Sequence, residues 1–410
     1  MTSTQRRVLI VGGGIAGPVV AFWLAKAGFR VTLLERSRDP TKIGQGIDLR
    51  GPALEIVRRM GLESEVRSRT THEQGFAFVD DDGKLIAALG TAAEGGTTLT
   101  QEIEIMRSEL AAILAAAADA HENVTFKYGC TVTEIRQSER CVTVVLSDSD
   151  KAEDFEFVVG ADGLRSKVRE LVWDTQAKKD SYRPFEDNYC AYFSIPSHED
   201  DFPYSRVQHA RGGRSILIRP VNKEKSSAYL LFRRLSTELE STLRKPMEAQ
   251  KAAVAEIFAD FPGLGGRALQ GMKDTMDFYF DRATQIKLSK WSNGRCVLVG
   301  DAAYSPSPLT GQGTTLAIVG SYVLAGELAD CPLDPNAAFS GYEERLRDYV
   351  KEAQSVPLGG IVTKLVLPMT EWGIWVLRTV FWLFAWSDVW KWLDLAAPTK
   401  FKVPEYDSLR

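Results

Sequence analysis

The chain has few of the residues that usually hold a metal or an extracellular fold. Its 410 residues include four histidines and five cysteines. Cys130, Cys141, Cys190, Cys296 and Cys331 are odd in number and form no Cys-x-x-Cys pair, so neither structural zinc nor a disulfide framework is expected. An excess of one charge is also lacking. The 50 basic and 54 acidic side chains leave −4, and the basic residues are scattered, which argues against a nucleic-acid partner. No uncharged apolar run reaches the roughly 18 residues that a membrane span needs. The first residues, Met1 to Arg7, pass directly into an apolar strand with no cleavable leader, so a reducing, cytoplasmic setting is expected.

What is present is an ordinary globular composition, 44% apolar and 25% charged, over a length that suits two or three domains. Val8 to Val11 reads as a strand, Gly12 to Gly17 as a glycine turn, Pro18 to Ala27 as a helix and Arg30 to Leu34 as a second strand. This β-α-β unit opens a doubly wound α/β domain. A β excursion follows at Gly75 to Val79 and Leu85 to Leu89, around the turn Asp80-Asp81-Asp82-Gly83. Helix returns at Arg107 to Ala120, then strands near Val124 to Tyr128, Val132 to Arg136, Val142 to Leu146 and Phe155 to Val159. A second strand-rich stretch, Tyr182 to Phe280, reads as an inserted substrate domain. The expected division is 1–74, 98–178 and 282–352 for a Rossmann-like nucleotide domain, 75–97 and 179–281 for a mostly-β substrate domain, and 353–410 for a C-terminal bridging helix and tail.

Three segments carry chemistry. Gly12-Gly13-Gly14-Ile15-Ala16-Gly17 fits G-x-G-x-x-G between strand and helix: Gly12 for the tight turn, Gly14 for approach of a pyrophosphate, Gly17 for close helix packing. Glu35, ending the second strand, suits a ribose hydroxyl pair and disfavours a 2′-phosphate, which selects FAD or NAD over NADP as the nucleotide held. Arg36 beside it is either a phosphate contact or a solvated charge. The second segment is Asp162-Gly163 after the strand Val158-Val159, open to a second reading as a helix-capping turn. In the third, a short strand delivers Asp301, a proline-marked turn follows, and Gly311-Gln312-Gly313-Thr314-Thr315 opens a helix. Its N–H groups suit the electron-rich pyrimidine edge of an isoalloxazine.

These segments in this order resemble the single-component flavin-dependent aromatic monooxygenases, with the para-hydroxybenzoate hydroxylase-like fold and, in style, the tetracycline-inactivating members. The resemblance implies bound FAD, with Gly12, Gly14, Gly17 and Glu35 on its ADP half and Ile15 and Ala16 within the same turn. It implies that Asp162 and Gly163 serve FAD and transient NAD(P)H, that Asp301 binds the ribityl chain, and that Arg107 contacts the flavin near its phosphate. Pro308 would lie beside the reactive flavin edge and Gly311 to Thr315 would donate backbone hydrogen bonds to the ring. An arginine frequent after the second strand is absent, so Gln45 and Gly46 are expected to line the flavin instead.

The implied reaction uses NAD(P)H and O2 to hydroxylate or epoxidise a hydrophobic, aromatic or polyketide-like small molecule through a flavin C4a-hydroperoxide. Tyr192, Phe193, Arg219, Tyr229 and Phe232 are candidates on strands expected to face the flavin, Tyr192 and Arg219 as stabilisers of a phenolate. The chain departs from the family pattern at Tyr304 for histidine, Thr315 for asparagine and Gly320 for aspartate, so no substrate carries over. The W-x-W-x-I-P segment of flavin-dependent halogenases is absent. A reductase or dehydrogenase of the same fold, or a non-catalytic flavoprotein docking through its tail, are the alternatives. That tail, Pro357 to Leu395, holds Trp372, Trp375, Trp382, Trp386, Trp390 and Trp392. It is read as a helix packed across both domains in preference to a membrane contact.

Overall fold

The structure is a computed structural model describing residues 6–39, 45–49, 51–71, 73–90, 103–355, 361–387 and 401–410. The expected segment 91–97 and the tryptophans Trp390 and Trp392 lie outside the described residues. Two large sheets organise the chain. The first has six strands in the order Ser292–Asn293, Cys296–Leu298, Phe157–Gly160, Arg7–Val11, Arg30–Glu35 and Val124–Tyr128. All neighbours in it are parallel except the edge strand Ser292–Asn293. A parallel sheet of this kind is covered on its faces, which is why its strands read as continuous apolar runs such as Val8 to Val11.

Helix Ala16–Lys26 packs against helices Arg107–Asp119 and Gly313–Asp330 in the same core. A three-stranded antiparallel sheet, Val132–Gln137, Val142–Leu146 and Ser149–Phe155, contributes Val132, Val142, Val144, Leu146 and Phe155 to that core. The continuous strand expected over Phe155 to Val159 is in fact broken. Phe155 ends the small sheet and Phe157 begins the large one. Between them the Glu156 N–H donates to the Arg7 carbonyl, and its carboxylate pairs with Arg6.

The second sheet has seven strands, ordered Tyr279–Ile286, Tyr182–Pro196, Lys225–Arg233, Arg214–Pro220, Ser205–Ala210, Gly75–Val79 and Leu85–Gly90. The early hairpin joins it through a parallel pairing with Ser205–Ala210, so the excursion at 75–90 and the later insertion form one layer. Helices Met247–Phe258 and Leu264–Asp274 cover one of its faces. A two-stranded ribbon, Gly46–Asp48 with Glu104–Met106, lies between the two layers: Arg107 at its end faces Gly14, while the Gly46 N–H donates to the Tyr229 hydroxyl of the second sheet.

The tail divides its contacts. Helix Glu371–Ser387 rests on the outer strands of the second sheet, with Phe381 stacked on Phe78 at 3.8 Å and Arg378 paired with Asp81 at 2.6 Å. Residues 401–410 return to the first layer, where the Tyr406 hydroxyl donates to Glu327 and Arg59 donates to the Pro404 carbonyl. Both layers are therefore touched, but by separate parts of the tail and not by the helix alone. Among the described residues, no helix is long and apolar enough to cross a membrane.

Candidate functional site

The glycine turn shows why its residues lack side chains. A Cβ on Gly12, which has φ +114°, would sit 2.4 Å from the Ala161 carbonyl oxygen, and one on Gly17 would sit 1.9 Å from that of Gly12. Gly14 differs: the nearest atom to its missing Cβ is a guanidinium nitrogen of Arg107 at 3.4 Å. Ile15 and Ala16 are buried where the helix begins. Glu35 faces the same turn and accepts the N–H groups of Gly13 at 2.8 Å and Ser37 at 2.7 Å, and Arg36 beside it is exposed.

Arg107 opens its helix and donates its N–H to the Gln45 carbonyl at 2.9 Å, which fixes Gln45 and Gly46 next to it. Asp301 follows Gly300, whose φ of +64° sets it between Ala16 and Ala317. Burial pushes the Asp301 carboxyl above its usual range, while Arg107 and Ser305 draw it down. Gly313 passes close by, its Cβ position 3.8 Å from the Asp301 carboxylate. Gly14, Arg107, Asp301 and Gly313, from four distant segments, thus border one hollow.

Ser307, just before Pro308, is the one non-glycine residue with positive φ among those described, at +79° and buried. Such backbone costs on the order of 1–3 kcal/mol and is held in place by its surroundings. Pro308, which is exposed, begins a 3₁₀ turn, Gly311 at φ +65° follows it, and Gln312 precedes helix Gly313–Asp330. Thr314 is half-buried; Thr315 is buried, and its hydroxyl has no hydrogen-bond partner among the described residues.

Three helix starts surround the hollow, those after Ile15, Met106 and Gln312, and none has a side-chain cap. The starts at Leu62, Pro246 and Gly263 also lack one, whereas Ser166, Asp174, Ser236 and Asp334 cap their helices with their own side chains. The Arg107 N–H is taken by the Gln45 carbonyl, whereas the first-turn N–H groups after Ile15 and Gln312 have no side-chain acceptor and suit one from outside the chain. These donors, the Arg107 cation, the orphaned Thr315 hydroxyl and the open face of Gly14 fit a dinucleotide carrying an electron-rich ring.

Asp162 is engaged locally. Its carboxylate accepts the Ser166 hydroxyl at 2.5 Å and the N–H groups of Lys167 and Val168 at 2.6 and 3.1 Å, the geometry of the capping reading. Burial raises this carboxyl and those hydrogen bonds lower it. Gly163, at φ +77°, has nothing within 4 Å of its Cβ position. Sequence reasoning gave no role to Arg169. It is buried and donates to the carbonyls of Ala302 at 2.6 Å and Leu164 at 2.5 Å, tying the Asp162 turn to the Asp301 turn. Its spacing after Ser166, one helical turn, was the available signal.

Strand parity corrects the substrate-side candidates. Phe193 and Phe232 lie on the helix-covered face of the second sheet, in the core with Ala191, Leu230 and Phe258. Tyr192, Tyr229 and Arg219 fall on the opposite face, because side chains alternate along a strand. The Tyr192 ring meets Tyr229 edge-on at 5.0 Å and stacks with Tyr279 at 5.9 Å. Burial holds the Tyr192 hydroxyl well above the usual phenol range, so it is a neutral donor. Arg219 is paired with Glu73 at 2.9 Å and with Glu104. Its charge is matched inside the protein.

The departures at Tyr304 and Gly320 belong together. A Cβ on Gly320 would stand 1.9 Å from the Tyr304 hydroxyl. That hydroxyl accepts from Tyr342 at 2.9 Å, and its ring packs on Trp291 at 4.6 Å. Glycine at 320 makes room for the phenol at 304 within the core.

Comparison with known proteins identifies the family and the fold. A family model described as an FAD binding domain matches residues 5–357. The chain is 50% identical to Monooxygenase CTB7 of Cercospora beticola over 99% of both chains. It is 31% identical to the FAD-dependent monooxygenase asL4 of Sarocladium schorii, again over 99% of both. Among solved structures, the crystal structure of tetracycline destructase Tet(55) superposes with a TM-score of 0.78 at 30% identity, covering 99% of this chain and 100% of that one.

Proposed function

The chain belongs to the FAD-dependent monooxygenases, and from that premise we propose that it uses NAD(P)H and O2 to hydroxylate or epoxidise a hydrophobic, aromatic or polyketide-like small molecule. The observation carrying this reading is the convergence of three helix starts without side-chain caps, Arg107 and Asp301, joined through Gln45 and Gly46 to Tyr229 of the second sheet. Gly12, Gly14, Gly17 and Glu35 would hold the ADP half of FAD, Arg107 its phosphates and Asp301 its ribityl hydroxyls. Gln45, Gly46, Pro308 and Gly311 to Thr315 would border the ring. When bound, FAD supplies hydride acceptance and oxygen activation, the chemistry that the protein's own groups cannot perform.

The residues then bind, orient and exclude water. Glu35, which keeps its own turn closed, would accept ribose hydroxyls. Thr315 would offer its unpartnered hydroxyl to the ring, with the N–H groups of Gly313 and Thr314 beside it. Tyr192 and Tyr279 present aromatic surface against which a flat substrate stacks, and Tyr192, kept neutral, donates a hydrogen bond to a substrate oxygen. Asp162 and Arg169 hold the two turns in register, Asp162 by capping and Arg169 by bridging carbonyls. On this reading the six-stranded layer holds FAD and the seven-stranded layer holds substrate.

Anaerobic addition of NADH or NADPH tests the reading: the flavin of the purified yellow protein is expected to bleach, and a screen of aromatic metabolites should find one that accelerates bleaching. A flavin that neither nucleotide bleaches, with every metabolite tried, rules it out.

A further inference from the structure

Glu73, Glu104 and Arg219 form a buried cluster that the proposed chemistry does not use. Glu104 comes from the two-stranded ribbon, Glu73 from the segment before strand Gly75–Val79, and Arg219 from the second sheet. The side chains are 5%, 0% and 12% exposed. Asp48 is paired with Glu104 across the ribbon, adding a third carboxyl. Tyr229, whose own phenol burial pushes up to about 12, approaches from the neighbouring strand and accepts the Gly46 N–H at 2.7 Å. A Cβ on Gly46 would lie 2.5 Å from a Glu104 oxygen and 3.3 Å from an Arg219 nitrogen, so the cluster sits directly against this residue.

The cluster does not balance as a set of full charges. One guanidinium neutralises one carboxylate, and buried like charges raise one another's proton affinity. The hydrogen-bond inventory agrees: one oxygen of Glu73 and one of Glu104 are buried without a donor. The two carboxyls are within hydrogen-bonding reach of each other. A single proton shared by the two carboxyls supplies the missing donor and leaves the pair with one negative charge for Arg219, while Asp48 adds to the repulsion that retains the proton.

We propose that Glu104 is a positioning residue that keeps its proton and donates it to Glu73, so that the two carboxyls clamp Arg219 as a neutral unit and hold Gly46 and Gln45 against the flavin edge. Loss of the proton leaves an uncompensated buried charge against Gly46, and the flavin-lining edge relaxes. Burial first, then Glu73 and Asp48 against the opposing pull of Arg219, push the Glu104 carboxyl up to about 8. The clamp is therefore intact at neutral pH and opens above it. This rests on the monooxygenase reading for its catalytic consequence, but not for the proton itself.

The pH-difference infrared spectrum of the holoprotein tests the proton directly. A carboxylic-acid carbonyl band that titrates near pH 8 is expected in the wild type and absent in Glu104→Gln. The band surviving in that variant, or no band titrating above pH 6, overturns the proposal whatever reaction the enzyme performs. Stability supplies a second readout. A carboxyl raised in the folded state contributes stability that is complete below its unfolded value of 4.5 and is lost as pH rises through about 8. The wild type is expected to lose roughly 5 °C of thermal midpoint more than Glu104→Gln between pH 5 and 9. For catalysis, a group titrating at 8 is about tenfold depleted at pH 9. Product formed per NAD(P)H should fall about tenfold from pH 7 to 9 in the wild type, and by less than about twofold in Glu104→Gln. Equal falls in both proteins, with the variant folded and yellow, refute the positioning role.

Discussion

At the scale of single residues, the clearest feature is the coupling of Tyr304 with Gly320. A phenol hydroxyl occupies the volume where any side chain at 320 would begin. Gly320→Ala is expected to cost about 1–3 kcal/mol by overpacking. Tyr304→Phe, which removes the obstructing oxygen, should restore most of that loss in the double variant, and a thermal denaturation cycle measures the coupling. Additive losses would mean that the two sites do not share this space. Thr315 supports a complementary prediction. Its hydroxyl is buried and unpartnered without ligand, so Thr315→Val should leave the apoprotein as stable or slightly more stable. FAD affinity should drop about fivefold to tenfold, which flavin fluorescence titration checks. At this scale the sequence was legible where backbone sterics dictate the residue, as at Gly12 and Gly17. It was not legible at 304 and 320, because the two departures stood as separate breaks in the family pattern and only their contact in the core joins them. Arg169 escaped notice for a similar reason: its partners are carbonyls, which carry no sequence identity.

At the scale of elements, the helix starts were readable. Ile15, Met106 and Gln312 stand where Ser, Thr, Asp or Asn would cap an ordinary helix, and all three open on the hollow. Strand positions were also readable, but the direction of each strand's faces was not. Phe193 and Phe232 sat in the right strands on the wrong side, since period-two alternation fixes which residues share a face and tertiary packing decides where that face looks. The break at Glu156 was hidden because Phe155 to Val159 is apolar enough to read as one strand. Helix Glu371–Ser387 docks through Phe381, Phe384 and Ala385 against Phe78 and Leu89. Phe381 on Phe78 is its central apolar contact, while Trp372, Trp375, Trp382 and Trp386 face outward. Phe381→Ala should weaken this docking by about 2 kcal/mol. Limited proteolysis is then expected to cut within the helix well before the body of the protein, and unchanged cutting would show that other contacts hold it.

At the scale of the whole molecule, two sheets with different logics meet at a small ribbon. The parallel sheet presents loops and helix starts at the hollow, as doubly wound sheets do. The second sheet presents a face of tyrosines and one arginine. The order of the motifs along the chain made the first layer and its cofactor foreseeable. The carboxyl pair was not foreseeable, because Asp48, Glu73, Glu104, Arg219 and Tyr229 are scattered over the sequence and only the assembled layers bring them together. Oxygen insertion by a flavin bound between these layers is measured by turnover of an accelerating aromatic substrate under isotopically labelled dioxygen. The expected product carries one labelled oxygen atom for each NAD(P)H consumed, whereas NAD(P)H oxidation that yields labelled peroxide and an unchanged or merely dehydrogenated substrate would refute insertion.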